Sequence, residues 1–224
     1  IRAACGRPGD MLLLDATSSE GQSIGGSRVV TREEQSREDD PQYVKRSEPV
    51  RMLTLEQIRQ QLGWPRIDVL KLDCEGSEFA ILEDADLSKL GTIFAESHGA
   101  ERWRALLASR FAGWHKGHIS QNGEFGNWHL VNPDPAVELP ARPFDLDAAY
   151  PGHWTEGMST DRRHAYLLFE WLRLIKSPCH VLEVGCGSGT STAAFLEASK
   201  AAGRDYFTHH CDPSPAEPAE SMVR

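Results

Sequence analysis

The sequence predicts an α/β fold: a mostly parallel β-sheet covered by helices on both faces, with an antiparallel hairpin at one edge. Three observations carry this. Short unbroken apolar runs, IDVLKLD (67–73) and HVLEVGC (180–186), have the length and composition of strands buried on both faces. Segments with apolar residues three and four apart follow them, as helices lying on a sheet do. Strands and helices alternate along the chain, the order that parallel strands with crossover helices require.

Taken in order, residues 1–5 read as the end of a strand, and MLLLDAT (11–17) as a strand entered through the turn-forming RPGD. Residues 18–49 are polar and charged (GQSIGGS, TREEQSREDD) and read as a surface excursion with at most a short strand around Val29 and Val30. Thr54 is placed to cap a helix bearing Leu55, Ile58 and Leu62, which Gly63 ends. After the strand at 67–73, CEGSEFAILEDADL reads as a helix with Phe79, Ile81 and Leu82 on its apolar side. TIFAES (92–97) is the next strand and residues 101–111 an amphipathic helix. Residues 114–120 and 127–133 form a hairpin, signalled by the Asn-Gly pair in QNGEFG. A Pro-rich linker follows, then a helix at 160–175 capped by Thr160 or Asp161, a strand at 180–186, a helix at 188–203 and a strand at 205–212. Trp103, Trp114, Trp128 and Trp171 fall in amphipathic segments and are expected in the core.

With 224 residues, the chain has room for one domain, or one domain and part of another. Acids outnumber bases 33 to 24, for a net charge of −9, which argues against nucleic acid as a partner. No apolar run is long enough to span a bilayer, and residues 1–5 do not resemble a signal peptide, so a cytoplasmic location without membrane attachment is expected. Five scattered cysteines with no CxxC pair suggest neither a disulfide framework nor a zinc site. Of these, Cys74 and Cys186 read as small packing residues. Oligomeric state leaves no mark in the sequence. The chain opens on Ile1 and closes on a Pro-rich tail, so both ends read as cuts through a longer protein.

Chemistry concentrates in two motifs. The first is VLEVGCGSGTST, in which Glu183 precedes Gly185, Gly187 and Gly189. A strand that ends in alternate glycines and opens into a helix lets backbone N–H groups and the positive helix end approach a ligand closely. An acid before the first glycine suits a cationic ligand such as a sulfonium that also bears an ammonium group. Asp212, closing the next strand, is placed to accept hydrogen bonds from ribose hydroxyls. The arrangement E-x-G-x-G-x-G with a following acid resembles the cofactor-binding half of class I methyltransferases. This implies a Rossmann-like sheet with S-adenosyl-L-methionine held by Glu183, Gly185, Gly187, Gly189 and Asp212. A dinucleotide fits less well, because GCGSGTS lacks the G-x-G-x-x-G spacing. A glycine-rich turn with no ligand is the bland alternative.

The second motif is IDVLKLDCEGSEFAILEDADL followed by TIFAESHG. Around Asp73, Glu75, Gly76 and Glu78 it resembles the FkbM-type methyltransferases, which carry a strand ending in D-x-E-G-x-E and a next strand ending near an acid and a histidine. The resemblance spans about residues 1–140 and covers the later half of that family's domain, with no glycine loop of its own ahead of Ile1. It implies O-methyltransferase-like activity on small molecules or sugars. Asp73 lies at the carboxyl end of its strand, and Glu96 and His98 at that of the next, where ligands bind in doubly wound sheets. Asp73, Glu75 and His98 are therefore the candidate catalytic residues, suited to removing a hydroxyl proton as the methyl group is transferred. The same oxygens could hold a divalent cation, but no metal site is assigned. Glu75 and Glu78 also favour the dipole of the helix they begin, which needs no catalytic role.

Other features carry less. Adjacent strand residues His209 and His210 point to opposite faces and do not readily chelate one ion. GHWTEGMST (152–160) is placed to cover the cofactor. Competing functions are a nucleotide-dependent oxidoreductase or epimerase on a similar sheet, and a non-catalytic methyltransferase-like scaffold.

Residues 1–140 thus hold later elements of the fold, 141–159 a linker and 160–224 the first elements, as in a tandem cut inside both domains or in a circular permutant. Without a glycine-loop strand beside it, 67–73 leaves an apolar sheet edge, and exposed edges recruit strands. Residues 181–184 are expected to pair in parallel with 69–72, making one hybrid sheet.

Overall fold

The apolar runs become the centre of a six-stranded sheet in the computed structural model, which describes residues 4–6, 11–16, 28–31, 43–74, 76–122, 125–133, 160–175, 179–185, 190–202 and 207–211. The chain begins with β1 (Ala4–Cys5), β2 (Met11–Ala16), β3 (Arg28–Thr31), β4 (Tyr43–Pro49) and β5 (Met52–Leu53). Helix α1 (Leu55–Gln61), β6 (Ile67–Leu72), α2 (Glu78–Asp84), a 3₁₀ turn (Leu87–Lys89) and β7 (Leu90–His98) follow. Next come α3 (Ala100–Ser109), β8 (His115–Asn122) and β9 (Phe125–Val131), then α4 (Thr160–Arg173), β10 (His180–Val184), α5 (Thr190–Ala202) and β11 (Phe207–Cys211).

The large sheet runs β11-β10-β6-β7-β9-β8. Its first four strands are parallel, β9 is antiparallel to β7, and β8 closes the edge as the other arm of the hairpin. This is the α/β, Rossmann-like arrangement with an antiparallel hairpin at one edge. The expected junction is present: β10 lies parallel to β6, with Val181 opposite Val69 and Val184 opposite Leu72.

Strand alternation sorts side chains onto two faces. Leu70, Leu72, Ile93, Leu182 and Val184 pack with residues of α1, α2 and α3, among them Ile58, Phe79, Leu82 and Trp103. On the other face Val69, Phe94 and Val181 pack with Leu168, Trp171 and Leu172 of α4 and Phe195 and Ala198 of α5. Trp103 and Trp171 are fully buried, and Trp114 and Trp128 pack half-buried against the first core, as their amphipathic setting predicts.

The start of β10 is fastened to β6 by a buried acid. Asp68 Oδ2 accepts the His180 backbone N–H at 2.8 Å and lies 3.2 Å from His180 Nδ1, while Arg66 Nε is 2.8 Å from Oδ1. Asp68→Asn keeps the shape but removes the charge, and should cost about 1–3 kcal/mol. Hydrogen exchange should show β10 amides losing protection before those of β9; equal protection of both would discount the fastening.

Two expectations need correcting. Residues 18–49 are not merely an excursion with a short strand: β3 and the seven-residue β4 flank β2 in a separate antiparallel sheet, ordered β3-β2-β4. YVKRSEP lacks the apolar content of a buried strand, and its place comes from backbone pairing with β2, a contact distant in sequence. The second helix begins at Glu78 rather than Cys74, because Gly76 adopts φ +99°, outside the α-helical region. By contrast, the predicted cap of α1 is realised as a reciprocal pair: Thr54 Oγ1 accepts the Gln57 N–H at 3.1 Å and Gln57 Oε1 accepts the Thr54 N–H at 2.9 Å. Thr54→Ala should lower stability by about 1 kcal/mol in urea denaturation; an unchanged midpoint would show that the cap contributes nothing. Among the described residues no helix is long and apolar enough to cross a membrane.

Candidate functional site

In an open parallel sheet, the ligand crevice forms outside the carboxyl ends of the strands where the winding reverses. Here that point lies between β10 and β6, since β10 is followed by β11 on one side and β6 by β7 on the other. The two strand ends close tightly on each other. The Asp73 N–H donates to the Val184 carbonyl at 3.1 Å. Gly185 turns the chain at φ +78°, and a Cβ built there would stand 1.7 Å from the Asp73 carbonyl oxygen. The first glycine of the motif is therefore demanded by strand contact as well as by backbone conformation.

Beneath this junction lies a buried charge cluster that register explains. Glu183 is opposite Lys71 across the β10–β6 pair, so both side chains project to the α4/α5 face. Lys71 is 2% exposed; its Nζ donates to the Gly185 carbonyl at 2.7 Å and to Asp73 Oδ2 at 3.2 Å, and lies 3.9 Å from Glu183 Oε1. Burial pulls the lysine's pKa down, but the Asp73 and Glu183 carboxylates outweigh it and hold the group above the ordinary lysine range. Glu183, fully buried, accepts the Thr192 hydroxyl at 2.7 Å through Oε2, which ties β10 to the first turn of α5 across the glycine turn. Asp73, just past the carboxyl end of β6, keeps its side chain 30% exposed.

On the other side of Asp73, the turn before α2 is organised by Glu78. Its carboxylate is buried; Oε1 accepts the Cys74 N–H at 2.9 Å and stands 3.3 Å from His98 Nδ1 at the end of β7. Gly99, at φ +115°, then turns the chain into α3 beside the Phe79 ring. Burial, reinforced by Glu78, pushes the Cys74 thiol well above its usual range.

Of the residues singled out from the sequence, Asp73, Glu183 and Gly185 come together through Lys71, and His98 joins them through Glu78 and Cys74. Glu96 is half-buried on β7, opposite Asn127. Glu75, Gly187, Gly189 and Asp212 lie outside the described residues, as do Cys186 and residues 152–159 of the proposed cover. His209 and His210 sit on β11 opposite Leu182 and Glu183. Among the described residues no group of three His, Cys, Asp or Glu is arranged to hold a metal ion.

Sequence reasoning missed two residues. Lys71 had a signal: a lysine inside an apolar strand buried on both faces must have a partner, since lysines are seldom buried unpaired. Glu78 had a sufficient local explanation in the helix dipole, and only the fold brings His98 to it.

A profile described as the methyltransferase FkbM domain matches residues 2–117. Among curated proteins no sequence matches significantly. A solved structure described as the crystal structure of an M1.HpyAVI–SAM complex resembles the chain with 15% identity and a TM-score of 0.41, over 75% of this chain and 93% of that one. The family match covers more than half of the sequence, and the chain belongs to the FkbM family of methyltransferases, whose methyl donor is S-adenosylmethionine.

Proposed function

We propose that the chain transfers a methyl group from S-adenosylmethionine to a hydroxyl oxygen of a small molecule or sugar, at a site assembled from both of its parts. Residues 1–140, the later half of an FkbM-type domain, supply the acceptor side; 160–224, the first elements of a class I methyltransferase domain, supply the cofactor side; 141–159 link them. The observation that carries the reading is the parallel junction of β10 with β6, which sets Gly185 beside Asp73 at the point where the winding reverses.

We assign the cofactor side to Gly185, Gly187, Gly189 and Asp212; Glu183, the acid ahead of them in sequence, is held by Thr192 and Lys71. When bound, S-adenosylmethionine supplies an electrophilic methyl carbon whose bond to sulfur breaks as the acceptor oxygen bonds to it, leaving a neutral thioether. The residues of the chain manage the proton. His98, its Nδ1 turned toward the Glu78 carboxylate, takes the hydroxyl proton through its other ring nitrogen, and Asp73 and Glu75 orient the acceptor.

The test has two arms. Calorimetry with S-adenosylhomocysteine should show binding to the full chain. Mass spectrometry after incubation with S-adenosylmethionine and panels of sugars, small alcohols and amines should show methyl gain on hydroxyl compounds. No binding sinks the cofactor side, whereas binding with transfer to amines alone sinks the oxygen assignment.

A further inference from the structure

Lys71 takes no part in the methyl or proton transfer above, yet it is the group through which β6, Asp73 and Gly185 meet. Its ammonium reaches the carbonyl of Gly185, 114 positions away in sequence, and the carboxylate of Asp73, two positions away, from a 2% exposed position. A lysine ammonium has three donors and no acceptor, so each contact orients an oxygen toward it. One of these oxygens belongs to the first peptide of the glycine turn, and the other to the acid that faces the acceptor. Glu183 stands behind at 3.9 Å and balances the charge that burial would otherwise penalise.

We infer that Lys71 is a positioning residue that sets the Gly185 turn and the Asp73 carboxylate as one unit, so that the cofactor side and the acceptor side respond to each other. The inference rests on the methyltransferase reading above. It gives Lys71 a task that core stability alone does not require, since a well-packed apolar pair can replace a buried ion pair with little loss of stability. It also makes a distinctive claim: a change at Asp73, on the acceptor side, is felt on the cofactor side only while Lys71 is present.

Removing Lys71 alone would leave Glu183 buried without its cation, so the test removes both charges. Four full-length proteins are compared by S-adenosylhomocysteine calorimetry and thermal melting: Glu183→Gln, Lys71→Met/Glu183→Gln, and each of these with Asp73→Asn. The Lys71→Met/Glu183→Gln chain should melt within about 3 °C of Glu183→Gln, roughly a 1 kcal/mol difference. It should nonetheless bind S-adenosylhomocysteine at least about tenfold more weakly, the equivalent of about 1.4 kcal/mol. Asp73→Asn should weaken binding about threefold or more when Lys71 is present and leave it unchanged when Lys71 is absent. A purely structural lysine predicts additive effects instead.

Equal affinity with and without Lys71, a loss already complete in Glu183→Gln, additive effects of Asp73→Asn, or unfolding of the double variant would each overturn the inference. Absence of S-adenosylhomocysteine binding by the unaltered chain is a separate outcome. It would remove the methyltransferase reading first, and this inference with it.

Discussion

Gly185→Ala is expected to cost the chain about 2–6 kcal/mol and to abolish S-adenosylhomocysteine binding. Two penalties add. At φ +78° a residue with a Cβ sits in the left-handed region, where strain costs about 1–3 kcal/mol. The added carbon would also stand 1.7 Å from the Asp73 carbonyl oxygen, inside any permitted contact, and its neighbour is backbone rather than a side chain that can rotate away. Relief requires β10 and β6 to part at their carboxyl ends, at a cost typical of overpacked sites, about 1–3 kcal/mol. That parting breaks the Asp73 N–H to Val184 carbonyl bond and moves the Gly185 carbonyl off Lys71. Urea denaturation and calorimetry read both effects. A variant as stable as the parent would mean that the two strand ends are not closed on each other, and the shared crevice would go with them.

His98→Gln is expected to lower methyl transfer by about 10²–10³-fold, the loss typical of removing a general base, with stability within about 1 kcal/mol of the parent. The imidazole is largely covered at 16% exposed, but glutamine is close to it in volume and polar, so its replacement leaves no large cavity. Glu78→Gln should give a smaller loss, about tenfold. It preserves an acceptor for the Cys74 N–H but loses the charge that turns His98 Nδ1 inward. Rates are measured on the hydroxyl acceptor that the methylation panel identifies, with S-adenosylhomocysteine affinity as the control. Full activity in His98→Gln would overturn its assignment as the general base.

These predictions draw unequally on sequence and structure. The strands at 67–73 and 180–184, the turn at Gly185, the hairpin and the cap at Thr54 were all legible, because each depends on local periodicity or turn chemistry. The pairing of β10 with β6 was legible too, by a less direct route: each is an apolar strand that must be covered on both sides. β4 was hidden because its polar sequence gives no burial signal and its pairing with β2 spans a long stretch of chain.

What the sequence determined by itself is the kind and order of the elements from residue 54 onward and the position of both motifs, since backbone preference and hydrophobic spacing act over a few residues. What only the tertiary structure decided is which charges face one another. Register across β10 and β6 sets Glu183 against Lys71, and the turn at Gly76 and the end of β7 bring Glu78 to His98. An ionisable side chain buried by partners distant in the chain takes its role from those partners, and no local pattern in the sequence records where they will stand.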